Sequence, residues 1–261
     1  MTSWQKDLSG FERPEPVGSI AMISEYGPSG SKPLKVVASN AKEYWVKTPY
    51  NPHGQESLLA EAICYATAEF LGVSAPSRDF LIIDETFAQN NVLHNAHTIY
   101  PGTGLASEVV DGVIESRELD FINKDDNAVH GPKFIAWWEL CEGGDEQFLY
   151  RINEDYSVVP YDYGMWLGIE DDPYVQRMPN LPSGVTRWSG QVTRMSAGTF
   201  RHMAQKVDSM TRTDALQIVA QVPVDWGFTD QELISVAQWL YSRKDEVATS
   251  LLLHSGQARG E

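Results

Sequence analysis

The stretch Val158-Val159-Pro160-Tyr161-Asp162-Tyr163-Gly164-Met165-Trp166 decides how this chain reads, together with Gly143-Gly144-Asp145 upstream. An apolar run delivers Asp162 at its end, and a glycine follows two residues later. Phe148-Leu149-Tyr150-Arg151-Ile152 and Tyr156-Ser157-Val158-Val159-Pro160-Tyr161 read as a hairpin over Asn153-Glu154-Asp155. The hairpin joins two aspartates at loop positions. A magnesium-dependent phosphoryl-transfer site needs that pair, one carboxylate for the cation and one for the acceptor hydroxyl. Each aspartate also has a plain reading, Asp162 as an Asx-type turn starter and Asp145 as part of an acidic turn.

Working outward, the chain before residue 110 reads as sheet with one helix. Strands are expected over Ile20-Ala21-Met22-Ile23-Ser24-Glu25, Leu34-Lys35-Val36-Val37-Ala38 and Glu43-Tyr44-Trp45-Val46-Lys47-Thr48. Two more are expected over Arg78-Asp79-Phe80-Leu81-Ile82-Ile83 and Gly104-Leu105-Ala106-Ser107-Glu108-Val109-Val110. Between them, Gln55 to Leu71 carries helical periodicity through Leu58, Leu59, Ala62, Ile63, Ala66 and Phe70, and Gly72 stops it. Lys47 ends an alternating strand, where a solvent-facing role is the plain reading and a phosphate contact the functional one. Glu61 lies near the edge of the helical stripe, where a carboxylate is costly unless paired. A strand lysine held by a carboxylate from the next helix is the pair that positions nucleotides in kinases. The turn Gly27-Pro28-Ser29-Gly30-Ser31 has glycines that can bring backbone N–H groups to phosphates, although it matches no named phosphate loop and serves equally as a hairpin turn.

Beyond Asp111 the pattern turns helical. Phe134-Ile135-Ala136-Trp137-Trp138-Glu139-Leu140-Cys141 reads as a helix entered from Gly131-Pro132. Helices are expected over Thr199 to Met210 and Thr213 to Gln221, and a last one opens with the capping box Thr229-Asp230-Gln231-Glu232. Residues 168–190 read as an irregular loop. The division that follows is a loose lead-in over 1–17, a sheet-rich lobe over 18–110, and a helical lobe with an embedded hairpin over 111–261. His94-Asn95-Ala96-His97 has metal-like spacing but no third ligand nearby, and reads as a polar loop. Asp125-Asp126 and Glu170-Asp171-Asp172 read as solvated acidic turns.

Composition narrows the function classes. The chain of 261 residues has 20 basic against 36 acidic side chains, a net charge of −16, which argues against binding nucleic acid or an anionic membrane. No apolar run approaches the ~20 residues of a membrane span. The N-terminus lacks the order of a signal peptide. Cys64 and Cys141, the only cysteines, each sit in an apolar helical pattern and read as buried free thiols. A cytoplasmic location is expected.

Several of these segments resemble the small stand-alone HipA-like kinases, relatives of the protein-kinase and phosphatidylinositol-kinase fold. The resemblance covers roughly residues 18–252. Ser57-Leu58-Leu59-Ala60-Glu61 through Phe70-Leu71-Gly72-Val73-Ser74-Ala75-Pro76 is similar to the helix-to-LGxxxP segment of that family. Tyr44-Trp45-Val46-Lys47 resembles its nucleotide-lysine strand, and Pro160-Tyr161-Asp162-Tyr163-Gly164 its metal-aspartate motif. Val222-Pro223-Val224-Asp225-Trp226 with Leu240-Tyr241-Ser242-Arg243-Lys244 resembles its closing segment.

The resemblance implies an α+β, bilobal protein-kinase-like fold with a sheet-rich N-lobe and a helical C-lobe. It implies ATP and Mg2+ as cofactors, Lys47 on the α/β-phosphates with Glu61 as its partner, and Ser107 to Val110 as the hinge, with Glu108 and Val110 meeting adenine. Asp145 becomes the catalytic aspartate and Asp162 the metal ligand. The family places an asparagine after the catalytic aspartate as a second metal ligand, whereas here Asp145-Glu146-Gln147 offers only Gln147. The leading expectation is γ-phosphoryl transfer to a hydroxyl, on a protein serine or threonine. The alternatives are a pseudokinase that binds without turnover, and a kinase for a small molecule or lipid head group.

Overall fold

A computed structural model describes residues 3–91, 98–169, 178 and 180–259. The chain folds as two α+β lobes. In the first, β1 (Gly18–Tyr26), β2 (Leu34–Ala38), β3 (Glu43–Lys47), β4 (Arg78–Ile83) and β5 (Gly102–Glu108) close a small barrel in the order β1-β2-β3-β5-β4. Closure is parallel, through Gly18 opposite Leu81 and Ser19 opposite Ile82. Side chains alternate along each strand, so Val36, Tyr44, Val46 and Leu81 fill the barrel. The same alternation turns Trp45 and Lys47 to the other face of β3.

The helix α2 (Gly54–Leu71) crosses from this barrel to the second lobe. The periodicity predicts one apolar stripe, but residues 56–68 are buried all round, as expected of a helix packed between two lobes. Gly72 ends it with a left-handed backbone (φ 70°), and the Val73 N–H reaches back to the Ala68 carbonyl at 2.9 Å. A short helix α3 (Glu85–Asn90), capped by Asp84, follows β4.

The second lobe is built on α4 (Asn127–Leu140), α5 (Ala197–Asp208), α6 (Arg212–Val219) and α7 (Asp230–Gln257). The expected capping box at Thr229 and Glu232 opens α7. The helix α4 begins earlier than the Gly131-Pro132 entry suggested. Pro132 cannot donate to the Ala128 carbonyl, and the Ser196 N–H takes that acceptor at 2.8 Å. Buried Asn127 anchors the start of α4, donating to the Phe121 and Tyr156 carbonyls and accepting from Val158 N–H.

The hairpin β7 (Phe148–Arg151) and β8 (Ser157–Pro160) forms as expected, and it gains a third strand, β6 (Val113–Ser116), just beyond Asp111, where the pattern was expected to turn helical. The described residues between 168 and 190 carry no helix or strand.

The loose lead-in expected over residues 1–17 requires correction. Residues Ser3–Leu8 form a helix, α1, and Leu8 is buried in the core of the second lobe. Trp4, four residues before Leu8 and so on the same face, packs edge-on to Tyr241 and under the Arg212 guanidinium. Arg13 bonds the Val222 carbonyl and Asp230. Two apolar contacts in a polar sequence leave no visible periodicity, yet they tie this segment to the C-terminal helices. His94, His97 and Glu170-Asp171-Asp172 lie outside the described residues. Among the described residues, no helix is long and apolar enough to cross a membrane.

Candidate active site

Three elements meet where the lobes join. The end of β3 carries Lys47, the middle of α2 carries Glu61, and the turn after β8 carries Asp162. The Lys47 ammonium bonds the Glu61 carboxylate and, at 2.5 Å, Asp162 Oδ1. The Tyr163 N–H donates to the same Glu61 oxygen at 3.0 Å. Lys47 and Glu61 are buried, which explains how a charged residue is tolerated inside α2: lysine and backbone partners offset its desolvation.

The local backbone is shaped for this contact. Asp162 is held at φ 59°, a left-handed conformation that costs energy for a residue with a side chain, although aspartate adopts it more readily than most. A Cβ on Gly164 would lie 3.2 Å from Lys47 Nζ and 3.5 Å from Glu61 Oε1. The glycine two residues after the aspartate therefore leaves room for the lysine–glutamate pair.

Electrostatics couple the three groups. Burial works against the Lys47 charge, but Asp162 and Glu61 overcome it and hold the ammonium well above its usual range. Burial pushes Glu61 up to about 7, with Lys47 opposing and Asp162 adding repulsion. Burial also raises Asp162, but Lys47 outweighs it and the carboxyl is net lowered.

In front of the triad opens a cavity of about 660 Å3, within the usual range for small-molecule sites. Lys47, Glu61, Glu108, Val110, Gln147 and Asp162, six of the seven residues singled out from the sequence, line it. The turn after β1 contributes Gly27, Pro28 and Ser29 to its roof. That turn is seated on the start of α2, since a Cβ on Gly30 would overlap the His53 ring at 2.3 Å.

The strand expected to run to Val110 ends at Glu108, and the next residues form the connection between lobes. The Glu108 N–H bonds the Ser77 carbonyl and the Val109 N–H bonds that of Glu43. The Glu108 carboxylate pairs with Lys42 at 3.3 Å. The Val110 N–H has no partner among the described residues, and Val110 lines the cavity.

Asp145 is placed differently. It is exposed and does not line the cavity, and its Oδ2 accepts from the Gln147 side-chain amide at 2.7 Å. Its carbonyl accepts from the Trp166 indole at 3.1 Å. A Cβ on Gly144 would lie 2.7 Å from the Met165 carbonyl oxygen, so the Asp145 loop packs against the segment that follows Asp162. The two aspartates thus sit on adjoining loops, and Gln147, which lines the cavity, bonds Asp145.

The sequence reading gave no site role to Trp45, Tyr161 or the residues of β6. Trp45 and Tyr161 line the cavity from opposite lobes, and Glu115, Ser116 and Arg117 form its mouth. Trp45 had a usable signal, because it is two residues from Lys47 on an alternating strand. The β6 residues had none beyond a turn at Asp111-Gly112. Cys64 and Cys141 are free and buried.

No protein-family model matches the chain, and no curated protein matches it in sequence. Solved structures share its fold. A Golgi casein kinase structure with Mn and ADP bound aligns over 96% of this chain and 75% of its own, with a TM-score of 0.55 and 11% identity. The Helicobacter pylori proinflammatory kinase CtkA aligns over 93% of this chain and 98% of its own, with a TM-score of 0.52 and 12% identity. The fold is therefore bilobal and protein-kinase-like, with a sheet-rich N-lobe and a helical C-lobe.

Proposed function

We propose that this chain is an ATP-dependent phosphotransferase of the HipA-like kind, which moves the γ-phosphoryl group to a hydroxyl on a protein serine or threonine. The observation that carries the proposal is the buried Lys47 ammonium gripped by both Glu61 and Asp162 at the inner wall of an interlobe cavity. A structural ion pair needs one carboxylate. A second, on a strained backbone and facing a cavity, suits a site built for a ligand with charges of its own.

In this reading Lys47 holds α- and β-phosphate oxygens as a point charge, and Glu61 fixes its direction. The backbone of Glu108 and Val110 receives the adenine edge. Asp145 orients the acceptor hydroxyl and takes up its proton. The donor set fits magnesium. Asp162 and Gln147 both line the cavity and offer hard oxygens. Magnesium characteristically takes one or two carboxylates and completes its shell from phosphates and water. When bound, it neutralises charge between the phosphates. A cytoplasmic location accords with the acidic composition and the buried free thiols.

A second reading, a nucleotide-binding pseudokinase, is favoured by one observation. Gln147 stands where the family has asparagine, and its amide is engaged with Asp145. Incubation with ATP labelled at the γ-phosphate separates the two. Transfer to the protein itself or to a general acceptor protein, lost in Asp145→Ala, supports the kinase. Binding of ATP with no transfer supports the pseudokinase.

A further inference from the structure

The strand β6 is the outermost of its sheet, in the order β6-β7-β8, and among the described residues no strand pairs with its outer side. The backbone bonds fix which residues face that side. The Ile152 N–H bonds the Gly112 carbonyl at 3.0 Å, one step along the register that pairs Val113 with Arg151. Antiparallel ladders alternate bonded and non-bonded pairs, so Gly112, Ile114 and Ser116 turn their backbone groups to β7. Val113 and Glu115 turn theirs outward, and these N–H and C=O groups have no partner among the described residues. Natural edges are commonly blunted with lysine, proline or a bulge. The sequence Val113-Ile114-Glu115-Ser116 has neither residue, and its register with β7 is unbroken.

The surroundings of this edge are acidic and short of cations. Between Asp111 and Asp120 the chain carries Glu115 and Glu118 as well, with Arg117 as the only basic residue. The neighbouring ion pairs, Lys124 with Asp155 and Arg151 with Glu154, use other carboxylates. Glu146 adds to the excess. Burial, and then the charge of Glu118, push its carboxyl up, so these two side chains lie close enough to repel and have no cation between them. An open strand edge asks for an extended backbone, and a rim of unpaired carboxylates asks for positive charge. Both demands are met by one kind of partner.

We propose that β6 is a docking strand, to which an extended segment of a partner protein, rich in lysine or arginine, adds as a further strand. Its main chain bonds Val113 and Glu115, and its basic side chains face Glu118 and Glu146. Main-chain bonds supply affinity in such an addition, and the charges supply preference. The added strand lies three strand spacings from β8, about 14 Å, and Asp162 follows the end of β8. The docked segment is therefore distinct from the site of the proposed chemistry, and its binding does not depend on whether the cavity turns over ATP.

Fluorescence anisotropy tests this with the full chain, without nucleotide, and labelled synthetic peptides. One alternates lysine with threonine, one alternates glutamate with threonine, and one is the lysine peptide with N-methylated backbone amides. The last keeps the charge and removes the donors. The lysine peptide should bind about tenfold more tightly than either of the others. Glu118→Gln combined with Glu146→Gln should weaken it about threefold to tenfold. Glu115→Pro removes an outward N–H that β7 does not use, and should cost about fivefold or more, against about twofold for Glu115→Gln. Equal binding of the N-methylated peptide overturns the proposal, because charge alone then holds the segment. Equal binding of the glutamate peptide overturns it as well. A folded Glu115→Pro protein that binds like Glu115→Gln places the peptide elsewhere and also overturns it; if that variant does not fold, the N-methylated peptide still decides. A parent dimer on size exclusion that Glu115→Pro makes monomeric would assign the edge to a second copy of this chain and overturn the basic partner.

Discussion

Lys47 Nζ lies 2.5 Å from Asp162 Oδ1 while it also bonds Glu61, so one ammonium joins β3, α2 and the turn after β8. Residues separated by 115 positions in the chain share a charge-assisted hydrogen bond. The lysine is thus a structural tie between lobes as well as the proposed phosphate contact, and the two roles have separate consequences.

Replacing Lys47 with methionine leaves Glu61 and Asp162 facing each other with no cation between them. Breaking a buried pair from one side costs about 3–5 kcal/mol, most of it the uncompensated charge. Urea denaturation should show a loss of that order near neutral pH. The loss should shrink on acidification, as Glu61 takes a proton. A constant loss across pH would mean that lysine packing, not charge, is what the pair supplies.

The Glu61 carboxyl itself predicts a pH dependence. Burial raises it from an ordinary 4.5 to about 7, against the pull of Lys47. Between those values the folded protein holds a proton that the unfolded chain releases. This contribution to stability is therefore full below about 4.5 and falls away as pH climbs toward about 7. Asp162, whose carboxyl is lowered, works in the other direction, and its contribution is lost as pH falls. Thermal melts of the parent and Glu61→Gln should lie close together at about pH 4.5, where both side chains are neutral, and the parent should fall relative to the variant as pH rises toward about 7. A difference that stays constant across the window would contradict the assignment.

Gly164→Ala places a methyl group 3.2 Å from the Lys47 ammonium. The lysine tip can retreat, so folding should survive with a loss of about 1–3 kcal/mol. Nucleotide affinity should fall more than stability does, because the retreat breaks the alignment of Lys47 with Glu61. Unchanged ATP affinity in a folded Gly164→Ala protein would show that the alignment does not matter for binding.

Asp145 lies outside the cavity, so Asp145→Ala should leave ATP affinity within about twofold. Transfer should fall by about 10²–10⁴, the usual range for a positioned acid–base group. An equal loss of binding and transfer would place the catalytic carboxylate elsewhere.

The lysine and the glutamate were legible in the sequence because each sits on a regular period, and Asp162 because an apolar run leads to it and a glycine follows. Alternation along β3 and helical spacing along α2 fix directions before any contact is known. A carboxylate inside an apolar helix then asks for a partner. Other features had no such period. The strand β6 is four residues long and mostly exposed, so it carries no alternating apolar face, and it is made by pairing with β7. Pro132 disguised the first turns of α4, whose missing hydrogen bond is supplied by Ser196 from a distant loop. The helix α1 is tied down by Trp4, Leu8 and an Asp7–Arg212 pair, and its two apolar anchors are too few to show against a polar background. Trp45 shows the limit most clearly: its side of the strand was readable, but that it shares a cavity with Tyr161 is a tertiary fact.

The most direct test of the account is the melting temperature with and without Mg-ATP, for the parent protein and Asp162→Asn. Saturating nucleotide at about 100 times its dissociation constant stabilises a folded protein by about 2.7 kcal/mol. For a chain of this size that corresponds to a rise of several degrees. The account predicts that rise in the parent and its loss in an Asp162→Asn protein that remains folded. No rise in the parent, or an undiminished rise in the variant, would contradict it.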